Sequence, residues 1–181
     1  MARYVALLRG INVGGKNQIK MPELKSCFED RGFGDVVTYI QSGNVLFGSD
    51  VSTTAELTRD IEAMLSDTFG YRASVVLRSR RQMRAIVDGS PKGFGADSAR
   101  YRFDVIFLKA PLSARTAMKR VTARAGVDEA SAGSGVLYFS RLISRASQSH
   151  LSKIVTIPEY QRMTIRNWNT TTKLLRMMEG L

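Results

Sequence analysis

The sequence predicts an α+β protein: two ferredoxin-like (βαββαβ) plaits in tandem, antiparallel sheets with helices on one face, plus a C-terminal helix. Three observations predict it. Strand-length apolar runs and helix-spaced apolar ladders follow one another in the order βαββαβ. That order then occurs a second time. Between the two passages lies the densest cluster of breakers in the chain, Gly89-Ser90-Pro91-Lys92-Gly93-Phe94-Gly95, which sets the expected domains at residues 1–89 and 90–181.

The first passage opens with Tyr4-Val5-Ala6-Leu7-Leu8, an apolar run that reads as a buried strand, and continues into a Gly- and Asn-rich loop from Gly10 to Lys20. Pro22 and Glu23 suit the first turn of a helix whose apolar face is Leu24, Cys27 and Phe28, with Gly32 or Gly34 as its end. Val36–Ile40 and Val45–Phe47 are strands joined through the turn residues Gln41-Ser42-Gly43-Asn44. Asp50 to Thr54 supplies caps for a helix carrying Leu57, Ile61, Met64 and Leu65; Gly70 stops it, and Ala73–Leu77 is the fourth strand. Arg80 to Asp88 is a further helix with Met83, Ile86 and Val87 inward.

In the second passage Phe103–Leu108 is a strand, and Ser113 caps a helix with Ala117, Met118 and Val121. Residues 126–130 and 136–139 are expected to pair as strands. Ser149 is expected to cap a helix with Leu151, Ile154 and Val155 inward, ended by Pro158. Residues 162–166 form a short last strand, and Asn167 or Asn169 caps a terminal helix with Leu174, Leu175 and Met178.

Composition sets the bounds on function. The chain has 181 residues, 44% hydrophobic and 24% charged, enough to build a core without metals or disulfides. No apolar run approaches the roughly 20 residues that cross a bilayer, and the opening MARYVALLRG is too short for a signal peptide. One cysteine, Cys27, favours a reducing compartment, and one histidine, His150, excludes a multi-His metal site. We therefore expect a cytoplasmic protein with no metal and no cofactor. The net charge of +11 is uneven: residues 1–90 hold 12 basic and 10 acidic side chains, residues 91–181 hold 15 and 6. Arg outnumbers Lys 19 to 8, and Arg grips phosphate through two parallel hydrogen bonds.

Three blocks carry the candidate site. In the first, Gly10 and Gly15 enclose four residues and precede Lys16, the spacing of a phosphate loop. Asn17 stands where that loop needs a Ser or Thr for Mg²⁺, and Pro22 starts the helix too late, so an NTPase is disfavoured. What remains is an anion nest of the loop glycines, Gly14 and Gly15 among them, with Arg9, Lys16 and Lys20, and with Asn12 as a further candidate ligand contact, against a solvated loop with Gly at its turns. In the second block Gln41, Ser42 and Asn44 both donate and accept hydrogen bonds, as a ligand-orienting surface or as ordinary turn chemistry. In the third, Arg166, Asn167, Trp168, Thr170 and Lys173 gather at a helix start, where Trp168 either stacks on a base or anchors a core. Lys92-Gly93-Phe94-Gly95 matches the opening of an RNA-recognition strand, but Ala96-Asp97-Ser98 follows where exposed aromatics belong, so the match is coincidental.

Leu8-Arg9-Gly10-Ile11-Asn12-Val13-Gly14-Gly15, Met21 with Leu24, Thr38–Val45 with Phe47, and Arg166-Asn167-Trp168-Asn169-Thr170 with Lys173-Leu174 form a pattern. Taken together they resemble the bacterial family called domain of unknown function 1697 (DUF1697). The resemblance implies two ferredoxin-like plaits and no reaction, cofactor or catalytic residues.

The leading expectation is a non-catalytic binding module for an anionic ligand, a nucleotide or nucleic acid. One alternative is an enzyme on a small phosphorylated or carboxylated substrate, with Arg9, Lys16 and Arg166 neutralising charge. Another is a module that dimerises through exposed sheet edges, giving a homodimer. No membrane partner is expected.

Overall fold

A computed structural model of the chain describes residues 1–51 and 53–180. The chain divides into two compact units, one comprising Met1–Met83 with the chain from Leu174 onward, the other Arg84–Lys173.

In the first unit β1 (Ala2–Leu8), α1 (Met21–Asp30), β2 (Gly34–Tyr39), β3 (Asn44–Ser49), α2 (Thr54–Phe69) and β4 (Val75–Ser79) follow the predicted order. The sheet runs β2-β3-β1-β4 with every pair antiparallel, the topology of a plait. Alternation along the strands decides what faces the helices. Tyr4, Ala6 and Leu8 of β1 join Val45, Phe47, Val75 and Leu77 against Leu24 and Phe28 of α1 and Leu57, Ile61 and Leu65 of α2. Val5, Leu7, Leu46 and Val76 on the opposite face are buried as well, which is why β1 reads as an unbroken apolar run. Phe47 is the aromatic centre, with Tyr4, Phe28 and Phe33 at 5.8, 5.4 and 4.8 Å.

The helix ends follow from local chemistry. Pro22 and Glu23 occupy the first turn of α1 as expected, and the helix closes at Arg31, with Gly32 N–H bonded to Glu29 O at 2.9 Å. Thr53 holds the N-cap position of α2 without a side-chain bond, and Ser52, within the expected capping stretch, lies outside the described residues. α3 (Arg80–Asp88) begins with a reciprocal cap that the sequence reading overlooked. Gln82 Oε1 accepts from Ser79 N–H at 2.8 Å and Ser79 Oγ accepts from Gln82 N–H at 3.2 Å.

The second unit repeats the topology with β5 (Tyr101–Leu108), α4 (Ala114–Met118), β6 (Asp128–Ala132), β7 (Val136–Leu142) and β8 (Met163–Asn167), in the order β6-β7-β5-β8. Ser113 caps α4 as predicted, its Oγ accepting from Thr116 N–H at 3.1 Å, but the helix ends before Val121. Three further corrections apply. The strand expected at 126–130 lies two residues later, because Arg124 to Val127 forms a turn closed by Val127 N–H on Arg124 O. The last strand is displaced by one residue, to Met163–Asn167. The helix expected from Ser149 to Pro158 is replaced by a 3₁₀ turn over Leu151–Thr156, flanked by others over Ile143–Gln148 and Pro158–Arg162. Leu151, Ile154 and Ile157 recur every third residue, the period of a 3₁₀ turn, and all three pack in the core with Ile106, Leu108, Leu137, Phe139 and Met163. Val155, expected inward, is 56% exposed.

Asp128 ties this segment down. Its buried carboxylate accepts from Ser149 Oγ at 2.7 Å and from the backbone N–H groups of His150, Arg124 and Leu151 at 2.7, 3.2 and 3.4 Å. Burial alone would raise the carboxyl's pKa, but those four donors outweigh it and hold the group below its ordinary range. α5 (Trp168–Gly180) follows β8 directly. Of its two candidate caps Asn167 is the one used, accepting from Thr170 N–H at 2.8 Å.

Candidate functional site

The first two sequence blocks meet within the first unit and are used largely to hold one another. Asn12, in the left-handed region at φ 53°, donates from Nδ2 to Ile19 O (3.0 Å) and to Gln41 O (2.8 Å), while its Oδ1 accepts from Ile19 N–H (2.8 Å). Asn12 N–H bonds Asn17 O, Lys16 N–H bonds Val13 O, and Asn17 Nδ2 donates to Gly10 O, so the loop ties itself shut. Asn44 is completely buried and donates to Tyr39 O (2.8 Å) and to Ser42 Oγ (3.2 Å). Gly43, at φ 81°, lies so close to Ile11 that a Cβ would stand 2.5 Å from its Cδ1. Asn12, Ser42 and Asn44 are thus engaged with their own chain, and the helix starts at Met21, five positions after Lys16, unlike a phosphate loop. Gly14, Gly15, Lys16 and Gln41 are exposed, and an open cleft of about 820 Å³ runs past Asn12, Gly15, Lys20 and Gln41. Arg9 is half-buried, its N–H on Ser74 O. Beside Gln41, the β-branched and 46% exposed Ile40 sits at φ 51°, a strained conformation for such a residue.

The third block lies in the second unit. Arg166 is 7% exposed and donates Nη1 to Ile165 O at 2.9 Å; burial lowers its pKa to about 10. Arg78 in the first unit is its counterpart. It stands opposite Val5 as Arg166 stands opposite Val105, donates Nη1 to the preceding carbonyl at 2.8 Å, and is likewise lowered to about 10 by burial. A repeated feature of the two last strands therefore accounts for Arg166. Thr170 is buried with its N–H on the cap, whereas Lys173 is exposed.

Asn167 and Trp168 instead open onto a cleft of about 480 Å³, with Asn169, Phe103 and two arginines, Arg102 and Arg141. Sheet register creates this pair. Arg102 of β5 and Arg141 of β7 are direct partners across the antiparallel ladder, so both project from one face. Arg102 Nε bonds Asp104 Oδ2 at 2.9 Å; among the described residues Arg141 has no ion pair. Like charges directly opposite destabilise a sheet by about 0.2–1 kcal/mol, and a bound anion would reverse the sign of that interaction. The cleft's lining contains no His, Cys or carboxylate, and among the described residues no cluster has the makings of a metal site. Its chemistry is that of holding an anion. The sequence reading missed both arginines. The polar alternation Arg100, Arg102, Asp104 was a partial signal for one; nothing local marks Arg141 as its neighbour.

Residues 1–138 match the family described as "Protein of unknown function (DUF1697)". Among solved structures the chain is similar to the conserved bacterial protein SP0830 from Streptococcus pneumoniae, at 28% identity and a TM-score of 0.86, over 98% of each chain. No curated protein matches it.

Proposed function

The chain belongs to the DUF1697 family, and we propose that it is a non-catalytic binding module for an anionic ligand, a nucleotide or nucleic acid, held in the cleft of the second unit. One observation carries the reading: Arg102 and Arg141 are directly opposed, and although Asp104 pairs with Arg102 and Asp128 stands opposite Arg141 on its other side, Arg141 makes no ion pair among the described residues. Two planar guanidinium groups on one rung suit a phosphate, which accepts in-plane pairs of hydrogen bonds. The surplus of 15 basic over 6 acidic residues in the second half of the chain adds a long-range field that concentrates anions near it.

Titration calorimetry with inorganic pyrophosphate, at low and then rising salt, tests this. Binding is expected at low salt, weakening as salt rises, and Arg141→Ala should weaken it at least about tenfold, the loss of one charge-assisted bond. Absence of binding at low salt, or an Arg141→Ala variant that binds as well as the parent, would refute it.

A further inference from the structure

Resting on the anion site just described, we propose that its occupant is a single nucleoside phosphate, with the phosphate between Arg102 and Arg141 and the base stacked on Trp168. Trp168 lines the same cleft and is half-buried. Its plane is fixed from behind. Phe94 stands edge-on to it, ring centres 5.1 Å apart at 86°, and the Gly95 backbone lies so close that a Cβ there would be 2.2 Å from Trp168 Cδ1. Among the described residues nothing accepts from the indole N–H, so the ring is oriented by packing and not by a hydrogen bond of its own. On either side of it Asn167 and Asn169 are exposed. Asn167 has committed Oδ1 to the helix cap, which leaves its amide N–H groups; the Asn169 side chain makes no hydrogen bond among the described residues. Amides of this kind read the polar edge of a base.

The surroundings favour one nucleotide over a strand. Binding several nucleotides takes a row of open aromatic faces along a cationic track. Here Phe94 and Phe103 are engaged with each other at 5.0 Å, Phe94 also meets Tyr138 at 5.4 Å, and the Tyr101 ring is already covered by the Arg100 guanidinium at 5.6 Å. Trp168, held by Phe94 and the Gly95 backbone, is the large ring that lines the cleft beside the two arginines. The volume, about 480 Å³, lies within the range of small-molecule clefts.

The experiment exploits Trp168 being the sole tryptophan. Adenosine 5′-monophosphate, ribose 5-phosphate (same phosphate, no base) and a ten-residue oligodeoxyadenylate are titrated against the full chain, followed by indole fluorescence and calorimetry. Adenosine monophosphate is expected to quench the fluorescence and to bind at least about tenfold tighter than ribose 5-phosphate, the worth of one stacked base. Trp168→Leu should erase that difference while leaving ribose phosphate binding intact. Should Trp168→Leu not fold, Asn169→Ala, on an exposed side chain, should shrink the same difference. Equal affinity for the two small phosphates would overturn the inference while sparing the anion site. Binding of the oligonucleotide without the monophosphate would also overturn it, in favour of a strand. If nothing binds, both readings fall.

Discussion

Replacing Asp128 by Asn keeps the size of the side chain and removes its charge, which makes it a direct test of how the 3₁₀ segment is held. The carboxylate accepts four hydrogen bonds, three of them from backbone N–H groups. An Asn offers one acceptor oxygen and turns an NH₂ toward donors, leaving buried N–H groups without partners. Bonds to a charged acceptor are worth about 1.5–3 kcal/mol each and do not add in full, so a loss of about 3 kcal/mol is expected. The pH dependence follows from the direction of the shift. Because the folded-state pKa lies below the unfolded value, Asp128's contribution is whole above about pH 4, the ordinary carboxyl value, and fades as the pH falls through the lower folded value. The stability gap between parent and Asp128→Asn should therefore be widest at neutral pH and narrow in acid. Urea unfolding at a series of pH values, followed by Trp168 fluorescence, measures it, since Trp168 and Asp128 belong to the same unit. A gap under about 1 kcal/mol at neutral pH, or one that stays constant into acid, would refute the reasoning.

Further outcomes can be checked in the same way. Gly95→Ala places a Cβ 2.2–2.3 Å from the indole at φ 84°, so it should destabilise the second unit by about 2 kcal/mol or more and shift the Trp168 emission. Asn12→Ala removes three hydrogen bonds that join the loop to Ile19 and Gln41; thermal melting should show a loss of about 2–3 kcal/mol, and hydrogen exchange should speed up at Ile19. Ile40→Asn relieves a β-branched residue of the left-handed conformation and should raise stability by about 1 kcal/mol in urea unfolding, while a decrease would show the exposed isoleucine to be packed.

Much of the first unit was legible because its signals are local. Strands flagged by β-branched runs, a proline in the first turn of α1 and apolar residues at three- and four-residue spacing each act over one element. The second unit was read less well where the period was ambiguous. Leu151, Ile154 and Ile157 fit a turn of three residues as well as a turn of 3.6, and only the core they fill decides between them. The candidate site divides along the same line. The motif blocks marked Asn12, Asn44 and Arg166 as polar groups fit for a ligand, yet a polar side chain serves equally to satisfy its own backbone; hydrogen bonds to the chain assign all three to the fold, and Asn44 and Arg166 are buried as well.

What the residues determined unaided was the succession of elements, the plait pattern and the excess of positive charge, because propensity, periodicity and charge act between near neighbours or as sums. Tertiary structure decided that Arg102 faces Arg141, 39 positions away, beside Trp168. Strand register is a property of two distant segments at once, and a shift of one residue would have sent those guanidinium groups to opposite faces of the sheet.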